Sequence, residues 1–507
     1  MLWLLLAVTV VVAAGFVYLL TVPAPLERWL QARTLLALRE HYQSEVQLDN
    51  LRVTLIPGFY ATADNFVLPN RRGGDVPPLI TVKHLAVRAN LLQLLRTPVH
   101  ISSVTLDGLE IKVAPKRDQH DKPPSSVPKY HTHLANFDID HVQAGGTMLY
   151  ILRKDPDAEP LLFELRKLAL RSAGVGQPMT FTAELTNPTP PGVIQTQGHF
   201  GPWNFDEPSA TPVDGNYDFQ HADLSVFPGI SGILSSQGKY TGALNNIVVD
   251  GATDVPDFQL DRGGQEVHLT TQFHAIVDGT NGNTYLQPVN AHFLNSDVTT
   301  RGDVAGKPGQ KGKTITLAVD MSKARVQDML ALAAKGAPML TGGLALKAKL
   351  LLPPGKQPVL QKMQLAGTFD VTEAKFTQPK LKDAVNGLSR RGQGKPDDTS
   401  IDNVAAEFQG DFKLRNSTIT FSRLQFATPG VAAQVQGSYG LSSSQIDFVG
   451  DVRLDATASQ TMTGAKHVLL KPFDPMFKKH GAGTYLPVKV DGTREHPEVK
   501  LQWKKLF

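Results

Sequence analysis

From Val46 onward the chain alternates apolar and polar residues with a period of two, the mark of β-strands with one apolar and one wet face. Leu109-Glu110-Ile111-Lys112-Val113 alternates strictly. Across Gln445–Asp455, the residues Ile446, Phe448, Val452 and Leu454 fall on one face, and Asp447, Asp451, Arg453 and Asp455 on the other. Leu486, Val488 and Val490, then Val499, Leu501 and Trp503, repeat the pattern toward the C-terminus. One-sided strands belong to antiparallel sheets, because parallel sheets are covered on both faces. A Gly-x-aromatic triplet recurs at Gly198-His199-Phe200, Gly238-Lys239-Tyr240, Gly367-Thr368-Phe369, Gly410-Asp411-Phe412 and Gly437-Ser438-Tyr439. It reads as a turn or bulge glycine leading into a strand whose aromatic points at the core.

Helical periodicity is rare. Val326, Met329, Leu330 and Ala333 form an i, i+3, i+4, i+7 stripe, with Ser322 ahead as N-cap and Gly336 and Pro338 behind. Pro379–Ser389 carries Leu381, Val385 and Leu388 at helical spacing, and Pro472–Lys479 fits a single turn. These predict short helices that plug the ends or edges of a sheet. Two segments read as linkers, either boundaries or long loops within one sheet: Ala114–Lys129 and Ser389–Ser400, both charged and poor in apolar residues.

The N-terminus breaks the pattern. Leu2–Leu20 is an unbroken apolar run, and the first charged side chain is Glu27. At ~1.5 Å rise per residue, such a run crosses a ~30 Å hydrocarbon core. It exceeds the roughly 7–15 residues of a signal-peptide core. Cleavage after Val22-Pro23-Ala24 would leave Pro25 at the cut, so a retained anchor is expected. Leu26–Arg39 is predicted as a helix at the membrane interface. Arg28, Arg33 and Arg39 follow the span, and taken alone this charge asymmetry points the body toward the cytoplasm. The expected organisation is an anchor at 1–25, a helix with a β segment at 26–113, and a linker at 114–130. A central β region at 131–320, a helix-containing β region with a loop at 321–400 and a C-terminal β region at 401–507 complete it.

Composition narrows the chemistry. The 507 residues contain no cysteine, which removes disulfides, thiolate metal sites and Cys nucleophiles. A net charge of +4 gives no nucleic-acid footprint. There is no phosphate-cradling loop, nucleophile elbow, HExxH motif or complete dinucleotide fingerprint. His131, His133 and His141, near Asp138 and Asp140, have a spacing usable by a metal, but they equally fit polar side chains on the wet face of a strand. Arg390-Arg391 and Lys500, Lys504 and Lys505 read as solvated charges, and the sequon Asn416-Ser417-Thr418 falls within a predicted strand. We therefore assign no catalytic, cofactor or metal residues, and nothing argues for turnover.

The expected fold class is mainly β: a long curled antiparallel sheet, groove-like or taco-like, with a few short helices and one N-terminal transmembrane helix. Its apolar face needs a cover, and an open apolar groove beside a membrane suits an acyl chain. The groove residues expected on this reading are Ile446, Phe448, Val452, Leu454, Leu109, Ile111 and Val113. About 35 strands at ~4.8 Å spacing would extend the groove to about 170 Å.

The order of segments resembles the AsmA-like family of bacterial envelope proteins over most of the chain. After the anchor, Leu48-Asp49-Asn50-Leu51 through Phe66-Val67-Leu68-Pro69, and Ile80–Leu85, resemble that family's opening strands. Leu91–Leu95 followed by Val99–Val113 is similar to its short helix and following strand. Gln237–Gly242, Leu365–Phe376 and Leu388–Gly392 are similar to later turns and loops, and Leu486–Thr493 with His496-Pro497 is the closest match. The resemblance implies an inner-membrane protein with a single N-terminal span and a periplasmic body, related to bridge-like lipid-transfer proteins. It also implies membrane phospholipids as partners, with envelope or outer-membrane proteins beside them, and a role in phospholipid transport or outer-membrane assembly. The alternative is a non-transporting scaffold that assists outer-membrane protein assembly by strand addition.

Overall fold

The computed structural model describes residues 32, 46–54, 58–69, 77–90, 99–113, 137–152, 160–174, 178–202, 204, 207–260, 264–307, 312–464, 469, 471–478 and 481–502. The expected anchor, the Leu26–Arg39 and Leu91–Leu95 helices, the Ala114–Lys129 linker, His131, His133, Trp503, Lys504 and Lys505 lie outside these residues. Among the described residues no helix is long and apolar enough to cross a membrane.

Twenty-five strands form one mixed sheet. They are β1 (Gln47–Thr54), β2 (Phe59–Leu68), β3 (Ile80–Ala89), β4 (Val99–Asp107), β5 (Glu110–Val113), β6 (Phe137–Ile151), β7 (Leu161–Gly174), β8 (Met179–Pro188) and β9 (Pro191–Phe200). There follow β10 (Pro212–Asp223), β11 (Ile230–Ser231), β12 (Ile233–Ala243), β13 (Asn246–Leu260), β14 (Val267–Val277), β15 (Thr284–Phe293), β16 (Ser296–Gly306) and β17 (Lys313–Arg325). The last are β18 (Leu340–Leu352), β19 (Gln364–Phe376), β20 (Ala406–Arg415), β21 (Thr418–Thr428), β22 (Val431–Gly440), β23 (Gln445–Leu454), β24 (Thr484–Thr493) and β25 (Pro497–Leu501). Among the described residues the strands number 25, and most are longer than the ~5–6 residues typical of sheets.

The mainly β class is as expected, but the sheet is not wholly antiparallel. Gly108, at φ 63°, divides one line of backbone into β4 and β5. Both pair antiparallel with β3 and both pair parallel with β6. A parallel neighbour needs a crossover of about a dozen residues or more, and residues 114–136 provide that length. Ala114–Lys129 falls in sequence between β5 and β6 and lies outside the described residues. Nothing in the alternation of β4 or β6 marks this, because a one-sided strand can pair in either direction.

The chain falls into two compact units. The first comprises 1–222, 235–251 and 276–282, and the second 223–234, 252–275 and 283–507. In the first unit, Val82, Leu109 and Ala144 form one buried cluster and Val104 and Val142 another. In the second, Val267, Phe293, Met321, Ala324 and Leu332 pack together, and Val371, Ala374 and Ala406 form a separate cluster.

Helix α1 (Val326–Ala333) follows β17 directly and α2 (Val359–Lys362) precedes β19. Helix α3 (Pro379–Gly392) follows β19, and α4 (Asp474–Phe477) continues a single 3₁₀ turn at Lys471–Phe473. The predicted α1 stripe is correct, but Ser322 lies within β17 and Arg325 occupies the N-cap without a side-chain bond. Asp328 anchors α1 instead. Its buried carboxylate accepts from Ser296 Oγ at 2.7 Å and from Asn295 N–H at 3.0 Å, while Arg325 N–H donates to Ser296 Oγ at 2.9 Å. Asp328→Ala strands these donors, and loss of about 2–4 kcal/mol is expected for two charge-assisted bonds at a buried site. Urea unfolding of the variant measures it.

Helix α3 starts with Pro379 in its first turn, where a missing N–H costs nothing. It runs past the predicted end at Ser389 because Ser389 is fully buried and donates to Pro429 O at 2.7 Å. Strands β19 and β20 pair directly across the 389–400 segment, so it is a loop within the sheet. The sequon is a turn and not a strand: Asn416 and Ser417 have φ 50° and 59° and form the two-residue loop closed by the Arg415–Thr418 pair.

Candidate functional site

In the second unit, the strand registers place the predicted β23 residues in apolar rows that cross the sheet. Ile446 pairs with Tyr439, and the row continues through Ile419, Leu414, Leu365 and Leu350 to Leu317 on β17. Phe448 pairs with Gly437, followed by Phe421, Phe412, Gly367, Ala348 and Val319. Val452 pairs with Ala433, followed by Phe426, Phe408, Val371 and Leu344. Leu454 pairs with Val431 at the end of the strand, where both are buried.

These rows are only half covered. Ile446, Phe448, Val452, Tyr439, Ile419, Phe421, Phe412, Phe426, Phe408, Leu365, Leu350 and Leu317 are all partly exposed, whereas the buried side chains concentrate toward one end of the strands, beside α1 and α3. A second layer packed on this face would have buried the rows throughout. The aromatic rings touch each other in a string: Phe369–Phe412 at 6.2 Å, Phe369–Phe421 at 6.3 Å and Phe421–Phe448 at 6.0 Å between centroids. Phe408–Phe426 at 5.1 Å and Phe376–Phe408 at 6.2 Å form a second string. Edge and tilted contacts of this kind add roughly 0.5–1.5 kcal/mol each beyond burial.

The Gly-x-aromatic triplets explain how the rings lie. Gly198, Gly238, Gly367, Gly410 and Gly437 sit inside strands, not at turns, and none has positive φ. In antiparallel register two triplets interlock. Gly367 pairs with Phe412 and Gly410 with Phe369, and the Phe369 ring lies over Gly410. A Cβ at Gly410 would come within 2.9 Å of Phe369, and one at Gly437 within 2.8 Å of Phe448. In the first unit a further triplet, Gly215-Asn216-Tyr217, interlocks with Gly238-Lys239-Tyr240: Tyr240 lies over Gly215 and Tyr217 over Gly238.

The hydroxyls of those tyrosines each meet a side-chain hydroxyl. Thr196 Oγ1 donates to Asn216 O at 2.8 Å, so the Tyr240 hydroxyl donates to Thr196 Oγ1 at 2.6 Å. The Tyr217 hydroxyl and Ser236 Oγ are 3.0 Å apart. Burial holds both phenols above the ordinary tyrosine range, with the hydroxyl partners opposing the shift. A folded value above the unfolded one means stability is complete below about pH 10 and declines as pH rises through the folded value. Tyr217→Phe combined with Tyr240→Phe should flatten that alkaline decline, as measured by denaturant unfolding on either side of pH ~10.

The opposite face is polar and solvated. Lys347–Asp320 at 3.7 Å, Arg423–Asp411 at 3.0 Å and Arg453–Asp451 at 3.0 Å lie across or along strands. Lys500 meets Asp491 at 3.0 Å and Glu498 at 2.8 Å, and Lys489 meets Asp491 at 3.2 Å. Bonds from Lys500 and Lys489 hold the Asp491 carboxyl below its usual range. Exposed pairs of this kind contribute little stability, and they leave the wet face wet.

Leu109, Ile111 and Val113 lie in the first unit, apart from the β23 set in the second. Leu109 is 5% exposed and packs with Val82 and Ala144, and Val113 is also buried. Ile111 faces Ile80 and Leu149. Leu109 and Val113 are thus buried and Ile111 packs partly buried against the same cluster, whereas Ile446, Phe448 and Val452 of β23 are partly exposed. Of the histidine group, His141 pairs with Ser103 and Arg171, while Asp138 and Asp140 gather with His100, which sequence spacing did not single out. Among the described residues this is the group with metal-ligand spacing, within 4.8 Å, and His100–Asp138 at 3.6 Å accounts for it as a cross-strand ion pair.

Protein-family models, curated proteins and solved structures were all compared with this chain, and none matches it.

Proposed function

We propose that this chain is a membrane-anchored periplasmic protein whose sheet curls into a groove. The groove binds lipid acyl chains and supports phospholipid transport or outer-membrane assembly. The observation that carries the reading is the set of half-covered apolar rows from β17 to β23. A face built of Leu, Ile and Phe offers no hydrogen bonds, so it selects hydrocarbon and leaves a head group to solvent. Each CH₂ buried against it contributes about 0.8 kcal/mol, so a long acyl chain carries on the order of 10 kcal/mol. The aromatic rings lying over glycines keep the floor flat enough for a chain to slide. The family resemblance supports the anchor, the compartment and the transport role.

The test is site-specific photo-cross-linking. p-Benzoylphenylalanine at Phe421 should capture phospholipid during expression, and the same residue at Thr420, exposed on the polar face, should not. Equal or absent labelling at the two positions sinks the proposal.

A second reading, an assembly scaffold acting by strand addition, rests on β25. All five of its residues are exposed, and among the described residues it pairs only with β24. Such an edge templates another strand.

A further inference from the structure

We propose that helix α3, with the loops abutting its two ends, is a docking surface for an anionic lipid bilayer. The helix has 14 residues, about 21 Å of length. One side faces the protein through Asn386, Ser389 and Gly392, all buried. Beside that buried strip, Leu381, Ala384 and Leu388 at i, i+3 and i+7 are exposed, the two leucines each 37%. At the N-terminal end, Thr377 N–H donates to Met339 O at 3.1 Å and Thr377 Oγ1 to Pro338 O at 2.6 Å. These bonds hold Met339, 48% exposed, beside the helix start. At the other end, Ala456 N–H donates to Gly392 O at 2.9 Å, bringing up the segment that carries Met462, 39% exposed. Four large unbranched or γ-branched apolar side chains, each 37–48% exposed, thus lie on one short helix or on the segments bonded to its ends.

Charge decides the occupant. The helix carries Lys380, Lys382, Arg390 and Arg391 against one acidic residue, Asp383. Exposed Lys335, Lys375 and Lys395 flank it. Lys382 pairs with Asp402 at 3.6 Å, half-buried Arg390 donates to Ile401 O at 3.4 Å, and Asp398 accepts from Ser400, which leaves Lys380 and Arg391 as the exposed, unengaged cations of the helix; with exposed Glu373 and Asp397 included, cations exceed acids around α3 by seven to five. Leucine and methionine surrounded by a cationic rim describe an interfacial helix, whose apolar side chains enter the head-group boundary while the cations meet anionic lipid. The engagement is with a bilayer surface, so it stands apart from acyl chains in the groove.

The absence of cysteine permits a direct test. The full chain, held in a zwitterionic nanodisc so that its N-terminal run is occupied, carries an environment-sensitive dye at Leu388→Cys or, as control, at Thr420→Cys. Phosphatidylcholine vesicles with or without about a third phosphatidylglycerol are then added. We expect a blue shift and quenching by lipid-borne nitroxide at 388 with the anionic vesicles, lost in high salt, and no change at 420. Lys380→Gln with Arg391→Gln should weaken the response roughly 30-fold, about fivefold per cation removed. No response at 388, an equal response at 420, or one indifferent to lipid charge overturns the proposal. Cross-linking at Phe421 is read separately, so either idea can fail without the other.

Discussion

Replacing Ile446 and Phe448 together by aspartate abolishes acyl-chain cross-linking at Phe421 while leaving the chain folded. Both halves of this expected result come from the same geometry. The two side chains are partly exposed, so carboxylates at these positions remain hydrated, and the cost is the lost packing, about 1–3 kcal/mol in total for half-buried side chains. With an acyl chain in place, that hydration must be stripped from an ionised carboxylate, which an apolar ligand cannot compensate. Phe448 also touches Phe421 at 6.0 Å, so the charge enters the ring string itself. Leu109→Asp makes the contrast: that residue is closed within the first unit's core, so the variant should lose its fold rather than its ligand. Circular dichroism separates the two outcomes. An Ile446→Asp, Phe448→Asp variant that still cross-links lipid would refute the groove. If it also retained outer-membrane assembly activity in cells, the β25 edge would become the working surface.

The second large effect is expected at a glycine. In Gly367→Ala, the new Cβ stands 2.2 Å from Lys347 O and 2.8 Å from Ala348 Cα, both backbone atoms of the adjacent strand. Neither can move without opening the ladder between β18 and β19. A loss of about 2–4 kcal/mol, or roughly 5–10 °C in Tm, is expected from overpacking at this site. Gly387→Ala is the matched control. It lies in α3 with only Arg390 Nη2 within 4 Å, and it should gain roughly 0.5–1 kcal/mol from helix propensity. Differential scanning calorimetry of the pair reads both signs in one experiment.

The same glycines show where sequence reading succeeds and where it stops. Strands were legible because period-two alternation is a property of single segments: the β23 face followed directly from its residues. The α1 stripe was legible for the same reason, although its anchor was not, since Ser296 and Asp328 meet only after the fold brings two distant segments together. The triplets were visible as a repeat, but their meaning was hidden. A lone glycine in a strand usually marks a bulge, and only the folded strands reveal a ring above Gly215, Gly238, Gly410 and Gly437. The parallel pairing of β4 and β5 with β6 was not legible at all, and neither was the His100–Asp138 pair, which depends on the β4–β6 register. Closed and open apolar faces also look alike in sequence: Leu109-x-Ile111-x-Val113 alternates as cleanly as Ile446-x-Phe448.

The aligned rows between β17 and β23 limit how a sequence like this one can drift. A single-residue insertion in mid-strand sends every later side chain of that strand to the opposite face, which would put lysines and aspartates into the rows and phenylalanines into water. Insertions of two, or changes confined to hairpin loops such as Asn416-Ser417, preserve the pattern. Related chains should therefore differ in loop length and in whole hairpins gained or lost, and hardly ever by odd-numbered steps within a strand.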